Sequence, residues 1–518
     1  MFTRGSGFAS CGQVVVRLRR NLLAGIANSG WTALVNLIVV PLYLKYLGIE
    51  AYGLIGFYTT TQILLSLLDL GLAPTINREV ARSSASGEFR GARNLLHTLG
   101  VVYWVTAGII ALVISALAPV IANHWLQSSH IAPATLMRAV MLMGLVIAFR
   151  WPIGLYQGAL MGMQRLTVSS GVNSVTVTCG NFGAVVILAS VSPTIEAFFI
   201  WQAGVALLGA AAMRWAAWRA IGRADVGKFD VNGLKRIWRF SAGMSGVAVS
   251  GIILMQLDKV MLSRMLSLEE FGRYALASLI ASGLYVLLTP VFNAIYPRMS
   301  ALVATGDTGR LVDFYETGTR LCLALLLPAA VTVAIFSKDF LYLWTRNEHL
   351  AATSAPIVSL FVIGTALNGV MHFPYALQLA YGETRLPLTI NIILMVIMVP
   401  LTVTLARFYG AVGGAAAWAL LNGLYLFVGT WLTHRSLLKG IGARWLLGDV
   451  ALPMAMTVTV AGAGEGLIQR LGYPYYINLL SGVGWVCMTF LLTVLVSPRL
   501  RLIVRNLREI GINANTLG

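Results

Sequence analysis

The chain has 518 residues, of which 58% are hydrophobic and only 11% charged, and its mean hydropathy is +0.79. Soluble domains carry about a quarter of their residues as charges, so this composition excludes a soluble globular protein and points to one embedded in a membrane. The net charge of +18 is explained by basic residues gathered at one membrane face, where anionic lipid meets them, and no nucleic-acid partner is expected.

An apolar run of about 20 residues is long enough to cross a hydrocarbon core of roughly 30 Å. Fourteen such runs are predicted, at 22–43, 53–74, 95–118, 137–159, 169–190, 197–214, 241–262, 274–296, 320–337, 353–381, 388–406, 412–432, 448–468 and 477–497. The expected fold is all-α and polytopic. Residues 1–219 are expected to form an N-terminal six-helix lobe, 220–239 a basic linker, 240–440 a C-terminal six-helix lobe, and 441–518 two extra helices with a basic tail. Met1–Val16 does not read as a cleaved signal peptide, because Arg4 is followed by glycines and serines rather than an apolar core.

The two lobes are copies of one unit. Tyr46–Gly53 (YLGIEAYG) returns as Met265–Gly272 (MLSLEEFG), matching Glu50 with Glu269 and Gly53 with Gly272. In the same register Gly87 matches Gly306. One residue later in register, Gly162, Arg165 and Leu166 match Gly382, Arg385 and Leu386, while Gln202 and Gly209 match Asn422 and Gly429. A shared register over so long a stretch marks a duplication. An even number of spans per unit points both copies the same way across the membrane, the arrangement of transporters with parallel repeats and a central cavity.

Lys and Arg are retained on the cytoplasmic side of short loops. With the N-terminus inside, 27 of the 37 basic residues fall in cytoplasmic segments, so both termini are expected there. Cys11, Cys179, Cys322 and Cys487 are scattered and build neither a disulfide framework nor a metal cluster. No histidine pair has metal-ligand spacing, and there is no glycine-rich phosphate loop or Ser/His/Asp arrangement. Neither an enzyme activity nor a cofactor is expected.

Arg17–Arg82 (RLRRNLLAGIANSGWTALVNLIVVPLYLKYLGIEAYGLIGFYTTTQILLSLLDLGLAPTINREVAR) resembles the opening of the polysaccharide flippases, the O-antigen and exopolysaccharide translocases of bacterial inner membranes. Gln256–Ala277 (QLDKVMLSRMLSLEEFGRYALA) is similar to the second-half signature of the same family. That family belongs to the multidrug/oligosaccharidyl-lipid/polysaccharide exporter superfamily, which also contains lipid II flippases and multidrug exporters. The resemblance implies translocation of an undecaprenyl-diphosphate-linked oligosaccharide across the inner membrane by alternating access, for cell-surface polysaccharide such as O-antigen of lipopolysaccharide or exopolysaccharide. Its implied partners are the lipid-linked oligosaccharide, membrane lipids, and the polysaccharide polymerase and glycosyltransferases. Two alternatives stay open: a multidrug or other lipid exporter of the same superfamily, and a membrane scaffold for polysaccharide-assembly enzymes.

Carrying a diphosphate through a bilayer calls for cations in a wet cavity, and guanidinium groups suit phosphate oxygens best. Arg150 lies deep in a predicted span beside Trp151-Pro152, where it either faces such a cavity or pairs with Asp69 at similar depth. Arg78 and Arg298 end the second and eighth spans at nearly equivalent repeat positions, either as a headgroup-receiving pair or as ordinary interfacial anchors. Asp258 and Lys259 sit near the outer end of the seventh span, as an ion pair or with Asp258 as an ion-coupling carboxylate. Gln202 and Asn422 hold matched positions, facing sugar hydroxyls or joining helices by hydrogen bonds.

Overall fold

The computed structural model describes residues 9–222, 229–230, 246–471, 481–482, 484–485 and 488–491. Most of the basic linker and of the span expected at 477–497, the basic tail and Cys487 lie outside the described residues, as does the side chain of Cys11. The chain divides into two compact units, Met1–Ile252 with Ser267–Glu269, and Ile253–Leu266 with Glu270–Gly518.

In the first unit, α1 (Ala9–Leu65) carries the first span and the start of the second, and turns between them at Gly48, whose φ of 79° only glycine adopts at little cost. A 3₁₀ turn, Ser66–Asp69, and two left-handed residues, Leu70 and Gly71, then break the second span before α2 (Leu72–Ser86). The unit continues through α3 (Arg90–Val120), α4 (Pro133–Arg150), α5 (Ile153–Gly162), α6 (Leu166–Ser190) and α7 (Ile195–Ile221). Glu50 holds the loop before α4, accepting from the backbone N–H groups of Ser129 (2.7 Å) and His130 (3.2 Å).

The second unit takes the residues of α8 (Gly246–Met265) from Ile253 onward, then α9 (Leu268–Ser282), α10 (Leu284–Ala304), α11 (Thr308–Ile335), α12 (Ser337–Thr345), α13 (Glu348–Val370), α14 (His372–Ala380) and α15 (Arg385–Ser436). A short α16 (Gly442–Arg444), a π-helical stretch (Trp445–Ala451) and α17 (Leu452–Leu471) form the next crossing. The side chains of Asp307 and Asn347 cap α11 and α13, accepting from the N–H groups of Arg310 (3.0 Å) and Leu350 (2.9 Å).

Eleven helical stretches are long and apolar enough to cross a membrane, and two of them, Leu23–Asp69 and Arg385–Ser436, turn at Gly48 and Gly410, which makes thirteen crossings among the described residues. No β-strand occurs among those residues. Large apolar side chains lie on the outside, as at Leu112 (72% exposed), Leu208 (70%) and Val396 (68%), which is how a helix meets lipid rather than water.

The duplication is visible in backbone detail. Matched Gly87 and Gly306 both take left-handed conformations, φ 77° and 70°, at the ends of α2 and α10. The fourth span breaks at Trp151-Pro152 and its counterpart at Met371, at the register the sequence match dictates. Prolines explain both breaks. Pro152 and Pro374 have no N–H for the carbonyl one turn earlier and their rings crowd it, so the helix restarts.

Charged pairs fasten the thirteenth crossing to α11. Arg444 donates to buried Glu316 at 2.9 Å, Arg320 pairs with buried Asp449, and the Trp445 indole donates to Thr319 at 3.1 Å. Inside the first unit, α5 lies against α2 where Gly158 and Gly162, four residues apart, leave no room for a side chain. A Cβ would come within 2.6 Å of the Ala73 carbonyl oxygen at Gly158, and within 2.5 Å of the Asn77 carbonyl oxygen at Gly162. Gly158→Leu is therefore expected to destabilise the protein by about 1–3 kcal/mol through overpacking, whereas Gly154→Ala, on an open face of the same helix, leaves it unchanged. Thermal unfolding in detergent distinguishes the two, and equal melting temperatures would contradict the packing argument.

Candidate functional site

Arg150 is the last residue of α4, so it stands where the helix leaves its final carbonyls unpaired and presents the negative end of its dipole. Its Nη2 donates to Oε1 of Gln202 at 3.0 Å. Gln202, buried on α7, is oriented from behind, because its Nε2 donates to the Gly180 carbonyl of α6 at 3.1 Å. The guanidinium also lies over the Tyr58 ring, 5.9 Å from its centroid. An aromatic wall backs this cluster: Tyr58 meets Phe199 edge-on, Phe199 meets Phe198, and Phe198 meets Tyr43.

Among the described residues no carboxylate lies within ion-pair distance of Arg150. The alternative pairing with Asp69 is not formed. Asp69 instead accepts from the Tyr103 hydroxyl and from the Ala73 backbone N–H at 3.3 Å. The cause is the left-handed break at Leu70 and Gly71, which starts α2 afresh and places its free N–H groups and positive end beside the carboxylate. Arg150 therefore keeps its charge half-buried with a helix end, an amide and an aromatic face as partners. A guanidinium has five N–H donors and Gln202 takes one of them. The buried Tyr58 hydroxyl has no hydrogen-bond partner among the described residues.

In the second unit the matched amide is built into a different network. Asn422 donates to the Trp418 carbonyl at 2.9 Å and accepts from Asn368 at 2.9 Å, and Asn368 accepts from the Tyr285 hydroxyl at 3.1 Å. Gln202 and Asn422 thus both accept a hydrogen bond from the end of the helix that precedes the fourth-span break. The donor is a cation in one lobe and a neutral amide in the other.

Lys259 sits between the rings of Phe361 and Trp418, 5.6 and 5.7 Å from their centroids, and donates to the Met255 carbonyl at 3.1 Å. Its Nζ is 3.4 Å from Asp258, whose fully buried carboxylate also accepts from the Tyr274 hydroxyl. The Asp258–Lys259 pairing anticipated from the sequence is present, with Tyr274 as an unforeseen third member. Arg78 and Arg298 are exposed, each at the surface of its own unit, and Arg78 pairs with its neighbour Glu79 at 3.1 Å.

Tyr58 and Asn368 were not singled out from the sequence, since neither an apolar-run aromatic nor a lone amide differs from ordinary packing residues there. Glu316 and Arg320 did carry a signal, two opposite charges one helical turn apart at the start of a span.

Residues 18–303 match the family model described as polysaccharide biosynthesis protein, and residues 244–404 match that described as MatE. The chain is 22% identical over 410 residues to uncharacterized membrane protein EpsK of Bacillus subtilis (strain 168), covering 75% of this chain and 78% of that protein. In fold it is similar to the lipid II flippase MurJ in an inward closed conformation, with a TM-score of 0.70 at 12% identity over 91% of this chain and 99% of that one. It is also similar to an inward-facing multidrug resistance MATE family transporter of the MOP superfamily, with a TM-score of 0.64 at 13% identity over 81% and 96%.

Removing one partner of a buried ion pair leaves an uncompensated charge and costs about 3–5 kcal/mol. Lys259→Met is expected to lower the melting temperature sharply because it strands Asp258, and Asp258→Asn combined with Lys259→Met is expected to recover most of the loss. Strictly additive single and double effects in a thermal unfolding cycle would show that the pair does not act as a unit.

Proposed function

We propose, since the chain belongs to the polysaccharide biosynthesis protein family, that it is a flippase moving a polyprenyl-diphosphate-linked oligosaccharide between the leaflets of a bacterial inner membrane by alternating access. In this reading both termini are cytoplasmic, the two six-helix lobes are the moving bodies, and the substrate is of the undecaprenyl-diphosphate class. Polymerase and glycosyltransferases acting on the same glycan are the proposed partners, and O-antigen or exopolysaccharide the proposed product class.

The supporting observation is Arg150, an intramembrane cation whose neighbours are an amide and an aromatic ring rather than a carboxylate. An arginine near the centre of a span costs about 2.5–3.5 kcal/mol on insertion scales, and a helix that carries one without a counter-charge has a use for it. A sugar diphosphate is far too polar for hydrocarbon, whereas its polyprenyl tail stays there comfortably. The remaining guanidinium donors of Arg150 and the Tyr58 hydroxyl are the groups that meet diphosphate oxygens in this scheme, and Gln202 holds the guanidinium in place for them. Gln202 acts here as a positioning residue. Arg78 and Arg298, both exposed, serve as headgroup-capturing cations at the cytoplasmic mouth, and Asn422 as an amide that joins helices within the second lobe.

The MatE match over residues 244–404 raises the second reading, export of organic cations. A cation substrate wants an uncompensated carboxylate, and against that reading stand Asp258, engaged by Lys259 and Tyr274, and Asp69, engaged by Tyr103.

Reconstitution into liposomes with defined polyprenyl-diphosphate oligosaccharides tests the proposal. Arg150→Ala is expected to slow translocation roughly 10- to 100-fold, the worth of a charged hydrogen bond to phosphate, with Arg150→Lys retaining part of the activity. Translocation at the native rate by a folded Arg150→Ala protein would remove Arg150 from the carrier role. Export of organic cations without movement of the lipid-linked glycan would replace the reading altogether.

A further inference from the structure

A second cationic feature lies outside the Arg150 cluster, at the membrane edge where α15 ends and α16 begins. A recess of about 690 Å³ opens there, lined by Phe427, Trp431, His434, Arg435, Lys439 and Leu446 among others. Its lining is divided by chemistry. Phe427 and Trp431 are exposed apolar groups on the last turns of α15, and Arg435 and Lys439 are exposed cations one and two turns further on. The Arg435 guanidinium lies over the Trp431 ring, 5.3 Å from its centroid, the arrangement of an interfacial tryptophan with a cation at headgroup level.

The floor of the recess holds a polar group without a partner. His434 is 97% buried, and its Nε2 is engaged by the Tyr315 hydroxyl at 2.9 Å, while its Nδ1 has no hydrogen-bond partner among the described residues. If the tyrosine hydroxyl donates, the ring proton stands on Nδ1, which then needs an acceptor. Nδ1 faces Gly442, another lining residue, where a Cβ would approach it to 3.3 Å. In that tautomer Nδ1 adds a buried N–H donor behind the two cations.

We propose that this recess is a binding seat for the phosphate of an anionic membrane phospholipid, with Arg435 and Lys439 as its counter-charges, His434 Nδ1 behind it, and an acyl chain laid along Phe427, Trp431 and Leu446. The occupant follows from the pairing of two uncompensated surface cations with a continuous apolar wall, which a phosphate with a hydrocarbon tail satisfies and a free anion satisfies only in part. With the termini cytoplasmic as in the proposed function, this edge lies at the cytoplasmic leaflet. Because α16 and the π-helical stretch after it are held to α11 by the Arg444–Glu316 and Arg320–Asp449 pairs, a lipid seated there bridges α15 and the thirteenth crossing.

The test uses the full chain in a neutral detergent with three probes: phosphatidylglycerol, phosphatidylcholine of the same acyl chains, and inorganic phosphate. Native mass spectrometry reads bound lipid and thermal unfolding reads stabilisation. Phosphatidylglycerol is expected to bind and raise the melting temperature. Arg435→Gln with Lys439→Gln is expected to weaken it about 30-fold, from roughly 1 kcal/mol per cation near a lipid surface, without altering the melting temperature of the lipid-free protein. Gly442→Leu, which fills the recess but keeps both cations, is expected to weaken it as well, while Arg385→Gln, an exposed cation elsewhere, leaves it intact. Undiminished binding by the double variant, equal retention of phosphatidylcholine, or inorganic phosphate competing on equal terms would each overturn the assignment. Should Gly442→Leu not fold, the double variant, which touches only surface side chains, decides.

Discussion

The backbone polar groups of the membrane spans have to find their partners within the chain, because hydrocarbon offers none. Helices satisfy that demand along their length and leave it open at their ends. The interruptions of the spans are therefore where the polar chemistry collects. Asp69 stands at the start of α2 and Arg150 at the end of α4, each with the sign of charge that its helix terminus favours. Asn368, near the end of α13, occupies the corresponding place in the second unit. Prolines and left-handed residues thus do more than bend the chain. They decide where a charge is tolerated inside the membrane.

Duplication then supplies two versions of one plan with different outcomes. Each lobe breaks its fourth span at the same register and aims a donor from that helix end at an amide on its sixth span. In the first lobe the donor is a guanidinium with spare N–H groups. In the second it is an amide already consumed by its neighbours, and that lobe's own intramembrane cation, Lys259, is enclosed by two rings and a carboxylate. Among the described residues, the first lobe thus carries a guanidinium without a carboxylate partner where the second carries a paired lysine.

The thirteenth crossing follows another logic. It is fastened by ion pairs whose acids are buried, an arrangement that fixes geometry more than it adds stability. Beside it, at the end of α15, two cations and an indole line one recess, and His434 keeps an unengaged ring nitrogen beneath.

Much of this was written in local sequence. The length of its apolar runs determined the membrane class and the crossings, because each depends only on neighbours along the chain, and a repeat held in register pointed to two copies of one unit. The same local reading singled out Arg150, a lone arginine beside Trp-Pro in an apolar run, and left open whether it faces a cavity or pairs with Asp69. Which group each charge meets was not written there. Asp69 and Arg150 sit at similar depth, and nothing short of the packed helices told that one turns to Tyr103 and the start of α2 while the other turns to Gln202 and Tyr58. Partners across helices are set by how faces rotate and approach, which glycines such as Gly158 and Gly162 permit and which only the assembled bundle decides.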